Sequence, residues 1–183
     1  MDARILCLGN ELACDDGVGI RVGRILQALS LPPHIAVERK GRLGLELIDT
    51  LRASQVLVVV DAMVTGRPAG SCVVLDLGDP ALAVEQGSCC HGLRLPEVLE
   101  IARRLAPDRL PARVAVVGVE AEVLNRAGTF LSDSVRNALP DAVEAALRLA
   151  QAPVELLALG RAEAERCLDW DPTPEQVIAD RTG

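Results

Sequence analysis

Residues Ile5 to Gly19, I-L-C-L-G-N-E-L-A-C-D-D-G-V-G, constrain the fold more than any other stretch of the chain. Four apolar residues without polar alternation suit a strand buried on both faces, the kind found inside parallel sheets. Gly9-Asn10 stops that strand, because both residues tolerate the left-handed backbone of a tight turn. Asp15, Asp16 and Gly17 follow, and Val18, Ile20, Val22, Ile25 and Leu26 then repeat with helical spacing. Two carboxylates therefore stand between a strand's C-terminal end and the start of a helix, the edge at which open α/β sheets bind ligands. Helix capping accounts for one of these acids, and the second is surplus to it. The stretch lacks G-x-G-x-x-G spacing and puts acids where a pyrophosphate would lie, which excludes a dinucleotide loop.

The same grammar recurs downstream. The first helix is predicted to run to about Ser30, ahead of Pro32-Pro33, with a short strand over His34–Glu38. Leu45, Leu47, Ile48 and Leu51 predict a helix, and Val56-Leu57-Val58-Val59-Val60 a second buried strand closing on Asp61. The link from Asp61 to a strand over Ser71–Leu77 is too short for a helical crossover, so that strand should be antiparallel. Leu95, Val98, Leu99, Ala102 and Leu105 mark a helix, and Val114–Val119 the last buried strand, ending at Gly118-Val119-Glu120. A final long pattern opens at Ser132 and is interrupted by Pro140. Strands alternating with helices predict a three-layer α/β/α domain.

With Phe130 and Trp170 its only aromatic residues, the core of this 183-residue chain must be Leu, Val, Ile and Ala. A net charge of −7 and the lack of stacking platforms argue against nucleic-acid binding. No apolar run is long enough to span a membrane, and Met1-Asp2-Ala3-Arg4 leads straight into a strand, so a cytoplasmic protein is expected. The six cysteines form no C-x-x-C, which fits a reduced compartment rather than a zinc knuckle or disulfide framework. Cys7 and Cys72 fall in apolar strands and read as small core residues. The chain divides into residues 1–153, the α/β domain, and residues 154–183, an acidic C-terminal extension. From Glu155 onward seven acids face three arginines. Ala158–Leu168 is compatible with a short helix, and Pro172 and Pro174 predict a loosely held end.

Of the two histidines, His34 at a strand start reads as an incidental surface residue. His91 precedes a helix, after a loop that must cross one edge of the sheet. If the strands ending near Asp16 and Asp61 are neighbours, those acids and His91 meet at one edge. Such a trio would form an open three-ligand site for a borderline divalent metal such as nickel or zinc. The alternative assigns Asp16 and His91 to helix caps and Asp61 to a strand-end turn, and the residues alone leave both open.

G-N-E-L-A-C-D-D-G-V-G-I-R-V resembles the opening signature of the hydrogenase maturation proteases. V-L-V-V-V-D-A-M is similar to the second acid-bearing strand of that family, C-H-G-L-R-L-P-E-V-L to its histidine-bearing helix start, and G-V-E to the end of its last strand. The segments run in the family's order from Ile5 to about Leu147. The resemblance implies a mixed, mostly parallel five-stranded sheet between helical layers. It implies an endopeptidase that removes a C-terminal extension from the nickel–iron hydrogenase large-subunit precursor once nickel is inserted. By the same resemblance Asp16, Asp61 and His91 contact the metal, and the nickel belongs to the substrate and licenses cleavage. Where many members carry Gly-Thr-x-Gly after the second strand, this chain has Gly41-Arg42-Leu43-Gly44. Gly41, Arg42 and Gly44 are accordingly expected at the substrate, with the Arg42 guanidinium suited to a carboxylate or carbonyl.

Hydrolysis by this route would use a metal-polarised carbonyl or metal-activated water, with Asp15 or Asp61 as base. A rival is a thiol route through Cys89 or Cys90 with His91. The non-proteolytic alternative is a nickel-binding accessory or sensor protein of the same fold.

Overall fold

The computed structural model describes residues 2–53, 55–76, 95–124 and 126–182. Strand β1 (Asp2–Leu8) is buried on both faces from Ala3 onward, as its unbroken apolar run requires. A 3-10 turn over Cys14–Gly17 feeds helix α1 (Val18–Gln27). Strand β2 (Ile35–Lys40) returns parallel to β1, and helix α2 (Glu46–Thr50) leads into β3 (Gln55–Met63), which is buried along its whole length. β4 (Cys72–Asp76) is followed, among the described residues, by α3 (Leu95–Leu105) and β5 (Arg113–Glu120). Helices α4 (Asp133–Asn137) and α5 (Leu139–Leu149) divide ahead of Pro140, where a proline is tolerated in the first turn of the new helix.

The five strands lie in the order β2-β1-β3-β5-β4. β1 pairs parallel with β2 and β3, and β3 parallel with β5. β4 alone is antiparallel, as its short connection from β3 demands. The chain moves from β1 outward to β2 and then back across to β3, so the topological switch point lies between β1 and β3.

Successive side chains of each central strand enter different cores. Ile5, Cys7, Val58, Val60 and Val117 join α1 and α5 on one face. Leu6, Leu8, Leu57, Val59, Val114 and Val116 join α2 and α3 on the other. The result is the expected three-layer α/β/α arrangement around a mixed, mostly parallel sheet.

Past Pro153 the chain forms α6 (Val154–Arg166), four residues ahead of the predicted start, and α7 (Pro174–Thr182). Gly160 and Ala164 of α6 are buried, with Gly160 against Val143 and Leu147 of α5. Two of the prolines start helices, Pro153 at the N-cap of α6 and Pro174 as the first residue of α7, while Pro172 lies in the non-helical link between them. The end is therefore more regular than its prolines predict.

Candidate functional site

The site is built where β1 gives way to α1. Gly9 has φ +137°, and a Cβ there would stand 2.0 Å from the Asp16 carbonyl oxygen, so only glycine lets the chain fold back this tightly. The Asn10 N–H then donates to the Asp16 carbonyl (3.1 Å) and to Asp16 Oδ2 (3.0 Å). Asn10 Oδ1 accepts from the Leu12 N–H at 3.2 Å and tightens the turn. Cys14 adopts the left-handed region at φ 54°, a conformation that costs a non-glycine residue about 1 kcal/mol or more. It is held there by backbone contacts with Gly128: Cys14 N–H donates to the Gly128 carbonyl (2.8 Å), and Gly128 N–H donates to Leu12 (3.0 Å).

Helix α1 presses directly onto the switch point. A Cβ on Gly19 would lie 2.2 Å from the Leu8 carbonyl oxygen and 2.5 Å from that of Val60, which are the ends of β1 and the body of β3. Asp16, just upstream of that contact, is 1% exposed. Asp61 is equally buried and stands one residue beyond the last β1–β3 pair, Cys7 with Val60. It lies inside β3 rather than at its end, because β3 continues to Met63 paired with β5. Asp61 Oδ1 accepts from the Ala62 N–H at 2.9 Å. The fold therefore brings Asp16 and Asp61 to the same sheet edge, at the switch point. His91, Cys89 and Cys90 lie outside the described residues. Among the described residues no three His, Cys, Asp or Glu side chains gather as a metal site.

Asp15 has a different task from its neighbour. Its Oδ2 accepts from the N–H groups of Glu122 (2.9 Å) and Val123 (2.7 Å) and from the Ser132 hydroxyl (2.9 Å), while Oδ1 accepts from Ser132 N–H (2.6 Å). With both oxygens occupied by donors in a fully buried setting, Asp15 is a tie between the turn and the loop after β5, and not the base suggested above. Ser132 simultaneously caps α4, accepting from Val135 N–H.

Two further buried acids flank the edge. Glu11 receives both Arg24 Nε (2.8 Å) and a second guanidinium nitrogen (3.0 Å). Glu120, the last residue of β5, accepts from the Thr65 N–H and hydroxyl and from Gly66 N–H. Burial pushes the Glu120 carboxyl up, but the donors from Thr65, Gly66 and Arg67 outweigh it and hold the group below its ordinary range. Nothing in the sequence pairs Glu11 with Arg24, whereas Glu120 could be found as an acid ending an apolar strand.

Burial pushes the Cys7 and Cys14 thiols up, and lifts Cys72 to about 11, chiefly by burial with Asp141 adding to it. These three are poor thiolates at neutral pH. His34 is exposed, as expected of an incidental residue.

A polar cleft of about 330 Å³ opens at the C-terminal ends of β1 and β2, lined by Gly9, Glu11, Gln27, Arg39, Lys40 and Gly41 among others. Arg42 is exposed beside it, Leu43 is buried in the second core, and Gly44 packs against the Glu46 carboxylate. The Gly41–Gly44 loop is thus anchored at Leu43, with Arg42 at the surface. No helix among the described residues is long and apolar enough to cross a membrane.

Comparison with known proteins gives a consistent result. The sequence model described as hydrogenase maturation protease matches residues 20–149. The hydrogenase expression/formation protein HoxM of Cupriavidus necator is 29% identical, over 87% of this chain and 88% of that protein. The hydrogenase 2 maturation protease of Escherichia coli K12 is 32% identical, over 66% of this chain and 73% of that protein. Among solved structures, the hydrogenase maturating endopeptidase HybD of E. coli aligns with a TM-score of 0.71 at 26% identity, covering 83% of this chain and 95% of that one. HybD of Thermococcus kodakarensis aligns with a TM-score of 0.67 at 27% identity, covering 82% and 99%.

Proposed function

Because the chain belongs to the hydrogenase maturation protease family, we propose that it removes the C-terminal extension of a nickel–iron hydrogenase large-subunit precursor after nickel insertion. The observation that carries this reading is the pair of buried carboxylates, Asp16 and Asp61, at the β1–β3 switch point. Two hard oxygen donors plus the imidazole of His91 suit a divalent ion presented by the substrate, with His91 assigned by its motif. Nickel enters as part of the precursor, so binding it and recognising a mature substrate are one event. With Asp15 tied to four donors, Asp61 is the candidate base for the attacking water. Gly41, Arg42 and Gly44, beside the polar cleft, are the proposed contacts to the precursor chain. Residues 1–153 form the proposed catalytic unit and 154–183 its extension, acting in the cytoplasm on a cytoplasmic precursor.

The test is incubation of the purified protein with nickel-loaded and nickel-free precursor, followed by mass measurement of the released peptide. Release from the nickel-loaded form alone is expected. Asp16→Asn, Asp61→Asn and His91→Ala should each lower the rate by about 1,000-fold or more, and Arg42→Thr should raise KM several-fold with kcat retained. A complex with nickel-loaded precursor that never releases the peptide would instead support the accessory or sensor reading.

A further inference from the structure

We propose that the C-terminal segment around Trp170 and Asp171 is a brace that positions the Asp16 turn, making these two tail residues positioning residues for the reaction. The proposal rests on the reading that Asp16 acts on the precursor.

The brace has two arms. In the first, Asp171 Oδ1 accepts from Arg21 at 3.1 Å and Oδ2 from Arg136 at 2.8 Å. Arg21 also donates to the carbonyls of Trp170 and Thr129, the latter at 3.2 Å, and Arg136 donates to the Leu131 carbonyl at 3.2 Å. One tail carboxylate thus fastens residues 129 and 131 through two guanidinium groups. Immediately beyond, Ser132 holds Asp15 by its N–H and hydroxyl, and Gly128 on the other flank holds Cys14.

The second arm is the Trp170 ring, which lies 4.7 Å from the Arg21 guanidinium carbon and 5.5 Å from that of Arg24. Arg24 grips Glu11 with two nitrogens, and Glu11 adjoins Asn10, the donor to Asp16. The two arms reach the aspartate turn from its two sides, one through Asp15 and one through Asn10.

The contact is more than a surface ion pair. Arg21 is 3% exposed, and burial pulls its guanidinium below the ordinary range, opposed by its hydrogen bond and charge contact with Asp171. A cation this buried needs an anion at hand. The tail supplies that anion to Arg21 of α1, the helix that begins one residue after the turn's Gly17. Detaching Asp171 leaves a buried cation beneath the loop that Asp15 depends on.

Three variants of the full chain test the brace: Asp171→Asn, Asp171→Glu and Trp170→Ala. Amide hydrogen exchange reports the turn directly. Asp171→Asn should speed exchange at Asn10, Glu122, Val123 and Ser132 by about 10-fold while leaving Val59 and Val116 in the sheet unchanged. It should lower kcat for precursor cleavage by about 10-fold with KM within about twofold of wild type, and Asp171→Glu should recover most of the loss. Unchanged exchange at those four amides, or an equal increase at Val59 and Val116, overturns the brace. Should Asp171→Asn fail to fold, Trp170→Ala carries the same comparison. Wild-type protein that cleaves no precursor would remove the protease reading, while the exchange data would still decide the brace. Faster exchange with unchanged kcat would overturn its catalytic consequence.

Discussion

Among the described residues, the buried polar side chains toward the N-terminal ends of the strands are Arg4 and Gln55, whereas Glu11, Asp15, Asp16, Asp61 and Glu120 are all buried around the C-terminal ends. Arg4 reaches outward to Glu38, which is 42% exposed, and to the Thr50 hydroxyl, so its charge is met close to water. Gln55 folds back to accept from the Arg52 N–H at 2.6 Å. The Gln55 bond is local, and the two partners of the buried Arg4, from β2 and α2, themselves reach water. Two of the acids at the opposite edge are served by donors that arrive from distant segments: Asp15 by residues 107 to 117 positions away, Glu120 by the loop after β3. At the first edge the buried charge of Arg4 is met by partners that keep contact with water, and at the other Asp15 and Glu120 tie remote loops to the sheet. A carboxylate is suited to that second task because it accepts several N–H donors at once, and loops leaving the C-terminal ends of parallel strands have N–H groups to offer.

The largest expected effect on stability comes from the edge that depends on remote donors. Asp15→Ala strands the N–H groups of Glu122, Val123 and Ser132 and should cost about 3–5 kcal/mol in denaturant unfolding. A loss below about 1 kcal/mol would show that water replaces the carboxylate, and the contrast between the two edges would fail.

Glu120→Gln should cost less, about 1–2 kcal/mol at neutral pH, because an amide still accepts hydrogen bonds. Its pH dependence is the sharper reading. The folded carboxyl lies below the ordinary 4.5, so its stabilisation is complete above that value and is lost as pH falls through the lower folded value. The gap between wild type and Glu120→Gln should therefore narrow as unfolding is measured from pH 6 down toward pH 3. A gap that widened on acidification would reverse the sign. Smallest of all, Arg4→Met should change stability by less than about 1 kcal/mol, since an apolar chain can fill the site and Glu38 keeps its water.

Much of this was legible from spacing. The runs at Ile5 and Val56 announce the central strands, α3 has its predicted ends at Leu95 and Leu105, and the short link to β4 dictates its antiparallel direction. Asp61 shows where such reading stops. A charged residue looks like the end of a strand, yet pairing with β5 carries β3 two residues further. Asp15 and Asp16 are identical neighbours in sequence, and their separate roles follow from donors more than 100 residues away. Glu11 with Arg24, and Asp171 with Arg21 and Arg136, are likewise pairings that only the folded chain creates.

The overshoot of β3 has a mechanical consequence for Asp61. Strands fray from their free ends inward. Ala62 and Met63 lie between Asp61 and that end, each registered against β5, and Glu120 opposite Met63 is itself clasped by Thr65 and Gly66. Thermal peeling must therefore release two paired residues and a bound carboxylate before it reaches Asp61. Its backbone moves with the stiffness of the sheet rather than with the looseness of a loop tip.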